Sequence, residues 1–234
     1  MILLSSAMVY AQSKRNDGDF MYKSETTYGI NFNTNAGLIG GINIKHSRAI
    51  TPTMYHYFGL EVVNMRHPKE QRTTSRRSGQ TFIPGKQSYL ALIRPSYGRE
   101  FVLFKKEAEQ GVQINALLAA GPTIGLVIPY YIDYQYDNRT QRTEKYDPTK
   151  HTLFENVIGA PSVFTGIGES TVAIGGTVRA GLQFEFGSFK TNVTGFELGI
   201  TADFMSKQII IMPLAENKSN YISAYVVLFY GARK

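Results

Sequence analysis

Residues 194–205 read TGFELGITADFM, and the period of this stretch decides the fold. Phe196, Leu198, Ile200, Ala202 and Phe204 share one side of an extended chain, and Glu197, Gly199, Thr201 and Asp203 share the other. Successive strand side chains point to opposite faces, so this is an apolar face backed by a polar one. The preceding segment repeats it: Val178, Ala180, Leu182, Phe184 and Phe186 alternate with Thr177, Arg179, Gly181, Gln183 and Glu185. The polar stretch between the two has hairpin length.

The same alternation recurs along the chain. Tyr28, Ile30 and Phe32 alternate with Gly29, Asn31 and Asn33, and Ile42 and Ile44 with Gly41, Asn43 and Lys45. Phe58, Leu60 and Val62 flank Gly59 and Glu61; Tyr89, Ala91, Ile93 and Tyr97 run against Arg94, Ser96 and Gly98. About eight strands are predicted, at 25–34, 37–48, 53–66, 88–104, 111–132, 171–187, 191–206 and 220–231. Several exceed the ~9–11 residues that a tilted membrane-spanning strand needs. The most apolar run, ALLAAGPTIGLVIPYYI at 116–132, is broken by Gly and Pro and does not read as a spanning helix.

The connections sort by length. Those at 49–52, 105–110 and 188–190 are short, whereas 67–87, 133–170 and 207–219 are long. Short turns alternating with long loops are the habit of bacterial barrels, the turns periplasmic and the loops outside. The expected fold class is therefore all-β: a closed antiparallel transmembrane β-barrel of about eight strands in the cell outer membrane. Ile222, Ala224, Val226, Leu228 and Tyr230 alternate up to a near-terminal aromatic, like the end signal of such barrels, although Gly231 to Lys234 follow it.

Composition agrees with that class. Charged residues make up 18%, below the roughly 25% of soluble domains, and the absence of Cys removes disulfide and thiolate-metal chemistry. Residues 1–11, MILLSSAMVYA, have the apolar body and small-residue end of a truncated signal peptide, leaving 12–234 as one barrel domain. The net charge of +7 is concentrated at Arg66, Lys69, Arg72, Arg76, Arg77 and Lys86. No nucleic-acid motif accompanies that charge, so nucleic acid is not an expected partner. Arg72, Arg76, Arg77 and Lys86 are instead expected at the outer rim, on the phosphates of outer-membrane glycolipid or on an acidic partner surface.

Eight strands enclose an interior that side chains fill. The inward positions include Lys45, Glu61, Arg94, Arg179, Glu185, Glu197 and Asp203. Buried charges need partners, so a plugged lumen with an Arg–carboxylate network is expected. Catalytic patterns are weak. His46, His56, His67 and His151 are the only histidines, and no G-x-S-x-G elbow is present. No metal spacing is present either. The leading expectation is a non-enzymatic barrel without cofactors, working as a subunit of a larger outer-membrane complex. A lipid-modifying hydrolase, with His56 near Glu61, and a soluble periplasmic β-protein are the alternatives.

Several runs carry a resemblance: Glu61 with Arg66-His67-Pro68-Lys69-Glu70, then Arg94-Pro95-Ser96-Tyr97-Gly98, Gly111-Val112-Gln113-Ile114 and Pro129-Tyr130-Tyr131-Ile132. Across residues 55–135 the chain resembles a family of small outer-membrane barrels of Bacteroidota. The resemblance implies a non-enzymatic accessory barrel beside the insertase of the barrel-assembly machinery, and no catalytic residue carries over.

Overall fold

The computed structural model describes residues 22–105, 111–137, 139–186 and 191–234. The expected signal segment, 1–11, and most of two short turns lie outside the described residues. The strands are β1 (Ser24–Asn33), β2 (Gly37–Thr51), β3 (Met54–Met65), β4 (Thr73–Thr74), β5 (Thr81–Phe82), β6 (Ser88–Phe104) and β7 (Gln113–Pro129). They continue with β8 (Tyr131–Gln135), β9 (Gln141–Lys145), β10 (Val157–Gly159), β11 (Thr171–Phe186), β12 (Asn192–Met205) and β13 (Asn220–Arg233). Eight of them close an antiparallel barrel in the order β1-β13-β12-β11-β7-β6-β3-β2.

The side chains fall as the alternation requires. Along β12, Val193, Glu197, Thr201, Asp203 and Met205 are buried while Leu198, Ile200 and Phe204 are exposed. Around the barrel the exposed residues are Ile30, Ile42, Leu60, Leu118, Ile174, Ile222 and Leu228, and the buried ones include Glu25, Lys45, Glu61, Arg94 and Arg179. This inside-out distribution, apolar exterior around a charged interior, is that of a closed barrel set in an outer membrane. A soluble β-protein would bury the opposite face.

A tight turn joins β2 to β3 at one end of the barrel. Between β1 and β2, Asn33 Oδ1 accepts from the Asn35 N–H at 3.0 Å, and Gly37 takes φ +89°, a left-handed conformation that Gly adopts without steric cost. Unlike the β2–β3 turn, this one lies at the end where the long loops emerge. There the strand predicted over 111–132 is divided: β7 ends at Pro129, and one further bond in the same register, from the Tyr130 N–H to the Gln87 carbonyl at 2.9 Å, closes its pairing with the β6 side. The chain leaves the barrel, and β8 pairs with β9 and β10 in a small sheet of its own. The segment expected to be a plain loop is thus folded around Phe82, Tyr130, Ile132, Tyr134, Tyr146 and Val157. The β4–β5 hairpin joins it where Ser75 Oγ donates to the Val157 carbonyl at 2.8 Å.

The loop end should lie outside the cell. Single Cys at the exposed positions Arg76 and Thr149 should react with a membrane-impermeant maleimide on intact cells. Cys at Thr53, in the turn between β2 and β3, should react only after the outer membrane is opened. The reverse pattern would overturn the orientation.

Candidate functional site: the lumen and the loop-end rim

The structure places all seven predicted network residues inside the barrel, each nearly inaccessible to solvent: Lys45, Glu61, Arg94, Arg179, Glu185, Glu197 and Asp203. They fall into two chains in which every cation bridges two carboxylates. In the first, Arg94 meets Asp203 at 2.5 Å and Glu61 at 2.8 Å. Arg179 meets the same Glu61 at 2.7 Å and Glu197 at 2.9 Å. Tyr225 closes this chain: its hydroxyl accepts from Arg179 Nε and donates to Glu197, while the guanidinium lies 3.8 Å from its ring centre. Asn31 adds a donor to Glu61.

The second chain lies toward the short-turn end and contains three residues that sequence reasoning missed. Lys45 lies 3.2 Å from Glu100 and 3.5 Å from Glu25, and Arg233 bridges Glu25, at 2.6 Å, to Glu185. Ser47 and Asn115 donate to Glu100 at 2.8 and 2.6 Å. Glu25, Glu100 and Arg233 all continue alternations visible in the sequence, two residues at a time from Asn31, Gly98 and Gly231. The terminal residues read as an extension past the end signal therefore belong to the barrel, since β13 runs to Arg233.

Toward the loop end the filling turns apolar. Val63, Met65, Leu90, Leu92, Ala173 and Met205 from the walls pack with Ile209 and Ile211, which the loop after β12 turns inward. The Ile211 carbonyl accepts from the Gln87 N–H at 2.8 Å. Alternating salt bridges below and an aliphatic plug above fill the barrel from side to side. Cations shared between carboxylates satisfy the strict requirement that charge in low dielectric be paired.

The structure does not bring the four predicted rim cations together. Lys86 is a correction: it is buried, and its ammonium lies 2.6 Å from Glu70 and 4.3 Å from the Tyr89 ring centre. Burial holds its pKa below the ordinary lysine value, against the raising effect of Glu70. A buried, paired ammonium is not available to lipid. Arg72 is exposed beside it at a cleft of about 200 Å³. Arg77 donates to Gln135 Oε1 of β8 at 3.0 Å, and Arg76 is exposed near the hairpin tip.

The histidines are dispersed. His56 does not approach Glu61: it leans outward to the Tyr97 hydroxyl at 2.8 Å and Arg99 at 2.6 Å, on the barrel face opposite to Glu61. His46 meets Thr26, and His67 meets the Glu216 carbonyl. His151 is buried between Tyr134 and Tyr146 with Glu144 at 3.2 Å. Among the described residues, no group of three or more His, Asp or Glu is arranged to hold a metal.

No protein-family model matches this chain, and no curated protein matches it in sequence. Among solved structures, neisserial surface protein A is similar at 7% identity and a TM-score of 0.40, over 90% of this chain and 96% of that one. Ail, the attachment invasion locus protein of Yersinia pestis, is similar at 12% identity and a TM-score of 0.39, over 92% and 100%. Its complex with the heparin analogue sucrose octasulfate gives 11% identity and a TM-score of 0.39, over 90% and 97%.

Proposed function

We propose that the protein is a non-enzymatic interaction barrel that docks through one wall on a larger outer-membrane protein. The observation that carries this reading is a break in the β6–β7 ladder. Paired residues run to Ile93 with Ile124 and resume at Tyr97 with Ala120. In that register Pro95 falls opposite Pro122, and neither has an N–H to donate. Proline inside a central strand is rare, because it removes ladder bonds. In hydrocarbon each lost bond costs more, since no water replaces it, and irregular backbone at membrane depth is tolerated where protein covers it.

The surroundings of the break fit a covered wall. Facing outward beside it are Ala120 and Gly176, with Ala91 and Ala180 a step further, small residues that let another backbone approach closely between Tyr97, Ile124 and Val178. A β-carbon at Gly121 would collide with the Pro95 carbonyl, so the two strands meet tightly there. The opposite wall, β12-β13-β1-β2, presents Ile30, Ile42, Ile44, Ile200, Ile222 and Leu228, which suits fluid lipid. The filled lumen supports the same reading, because it leaves the exterior and the folded loops as the working surfaces. The resemblance in residues 55–135 points to the insertase of the barrel-assembly machinery as the partner.

A photoreactive residue placed at Ala120 or Ala180 in cells should give a discrete crosslink to a larger membrane protein, whereas Ile30 and Ile42 should give none. Mass spectrometry of the adduct identifies the partner. Equal crosslinking from the two walls would overturn the docking assignment. Hydrolysis of lipid esters by the purified barrel would instead restore the enzyme alternative.

A further inference from the structure

A cleft of about 560 Å³ opens at the loop end on the wall opposite to the proposed docking face. Residues 66–69, following β3, form one side, and 216–222, leading into β13, form the other, with Asn35 of the β1–β2 turn between them. Backbone and side-chain bonds hold this frame. The Arg66 N–H donates to the Asn35 carbonyl at 2.7 Å, and Asn35 Nδ2 donates to the Ile222 carbonyl at 2.9 Å. His67 brackets the two sides: Nδ1 accepts from the Lys69 N–H at 3.2 Å, and Nε2 meets the Glu216 carbonyl at 3.0 Å. Asn217 ties its own loop together through Ile211, Met212 and Ala215.

Three cations line the cleft: Arg66, Lys69 and Lys218. None takes part in an ion pair of the described residues, in contrast to the lumen cations and Lys86. Glu216 is the single acidic residue of the lining. Pro68, Ile211, Tyr221 and Ile222 supply an apolar floor, and Ile222, 71% exposed, continues outward onto the lipid-facing wall. Unpaired cations over an apolar floor that runs into the hydrocarbon belt match an amphiphile with an anionic head. The guanidinium can take two phosphate oxygens at once, and the two ammonium groups add point charges.

We propose that this cleft binds the phosphate of a phosphorylated lipid headgroup in the leaflet at the loop end. The chain of the lipid runs down past Ile222. Phosphate is the recognised chemistry, and its two sources, lipid and free ion, separate by experiment.

The full chain in neutral detergent is titrated with diphosphoryl lipid A, with the same lipid after dephosphorylation, and with inorganic phosphate. Diphosphoryl lipid A should bind at least about tenfold more tightly than the dephosphorylated lipid. The triple variant Arg66→Ser, Lys69→Ser, Lys218→Ser should lose about tenfold in that affinity. Arg139→Ser, Arg142→Ser, Lys150→Ser, which removes equal charge from another loop, should not. All six altered residues are exposed, so heat-modifiable gel migration should be unchanged in both variants, which separates loss of the site from loss of the fold. Equal weakening by the two triple variants would overturn the site in favour of general charge attraction. Inorganic phosphate binding as tightly as the lipid would overturn the lipid as the source.

Discussion

Glu61→Ala should lower the unfolding temperature of the barrel by on the order of 10 °C, read from heat-modifiable migration. Glu61 is 3% exposed and accepts from both Arg94 and Arg179. Its removal leaves two buried guanidinium groups each with one carboxylate where each had two. Breaking a buried pair costs about 3–5 kcal/mol, because a charge is left uncompensated. In a chain of this length each kcal/mol moves the midpoint by roughly 2–4 °C. Glu169→Ala should change little, since Glu169 sits with Lys145 in an exposed pair. Replacing all five members of the chain, Glu61, Arg94, Arg179, Glu197 and Asp203, by apolar residues of similar volume should recover much of the loss, because a whole buried ion cluster can often be exchanged for apolar packing. Equal behaviour of Glu61→Ala and Glu169→Ala would show a wet lumen with no need of pairing.

The second large effect is expected at the chain end. Deleting residues 233 and 234 should destabilise the barrel by about 3 kcal/mol, whereas Lys234→Ala, which keeps the backbone bonds of residue 234 to Lys23 and Ser24, should cost little. Arg233 bridges Glu25 and Glu185 and lies 4.0 Å from the Tyr22 ring centre. Its loss takes the guanidinium from two buried carboxylates, Glu185 and Glu25, the latter keeping Lys45 at 3.5 Å. Arg233→Lys should recover part of the loss, since an ammonium cannot repeat the forked contact of a guanidinium. A protein shortened by both residues that unfolds at the wild-type temperature would remove Arg233 from the barrel's stability.

The strands and their faces were legible because the information is local. Glu197 and Asp203 face inward for the same reason that Leu198 and Ile200 face outward, and nothing beyond β12 is needed to see it. Extending the alternation to its ends would also have found Glu25, Glu100 and Arg233. The loops were harder. Lys86 reads as one more charge of a basic run, and only the return of Glu70 beside it takes it out of solvent. The small sheet of β8, β9 and β10 was hidden because its strands are short and alternate poorly, and the apolar run carries on past Pro129 to Ile132, so the end of the wall was placed three residues late. His56 seemed near Glu61 along the chain, yet an odd spacing of five puts the two on opposite faces.

The sequence alone determined an antiparallel barrel of about eight strands, its polar interior, and the end from which its long loops emerge. Period two, Gly and Pro placement and connection length are properties of neighbouring residues, and they need no distant partner. The tertiary structure alone decided which charge meets which. Arg94 reaches Asp203 across 109 residues and Lys45 reaches Gln183 across 138, because closing the barrel sets every inward side chain against those of strands remote in the chain. Pairing of β6 with β7 set Pro95 opposite Pro122, and folding of the loops brought Arg66, Lys69 and Lys218 around one cleft. Register and closure make these neighbours, and no period along a single strand encodes them.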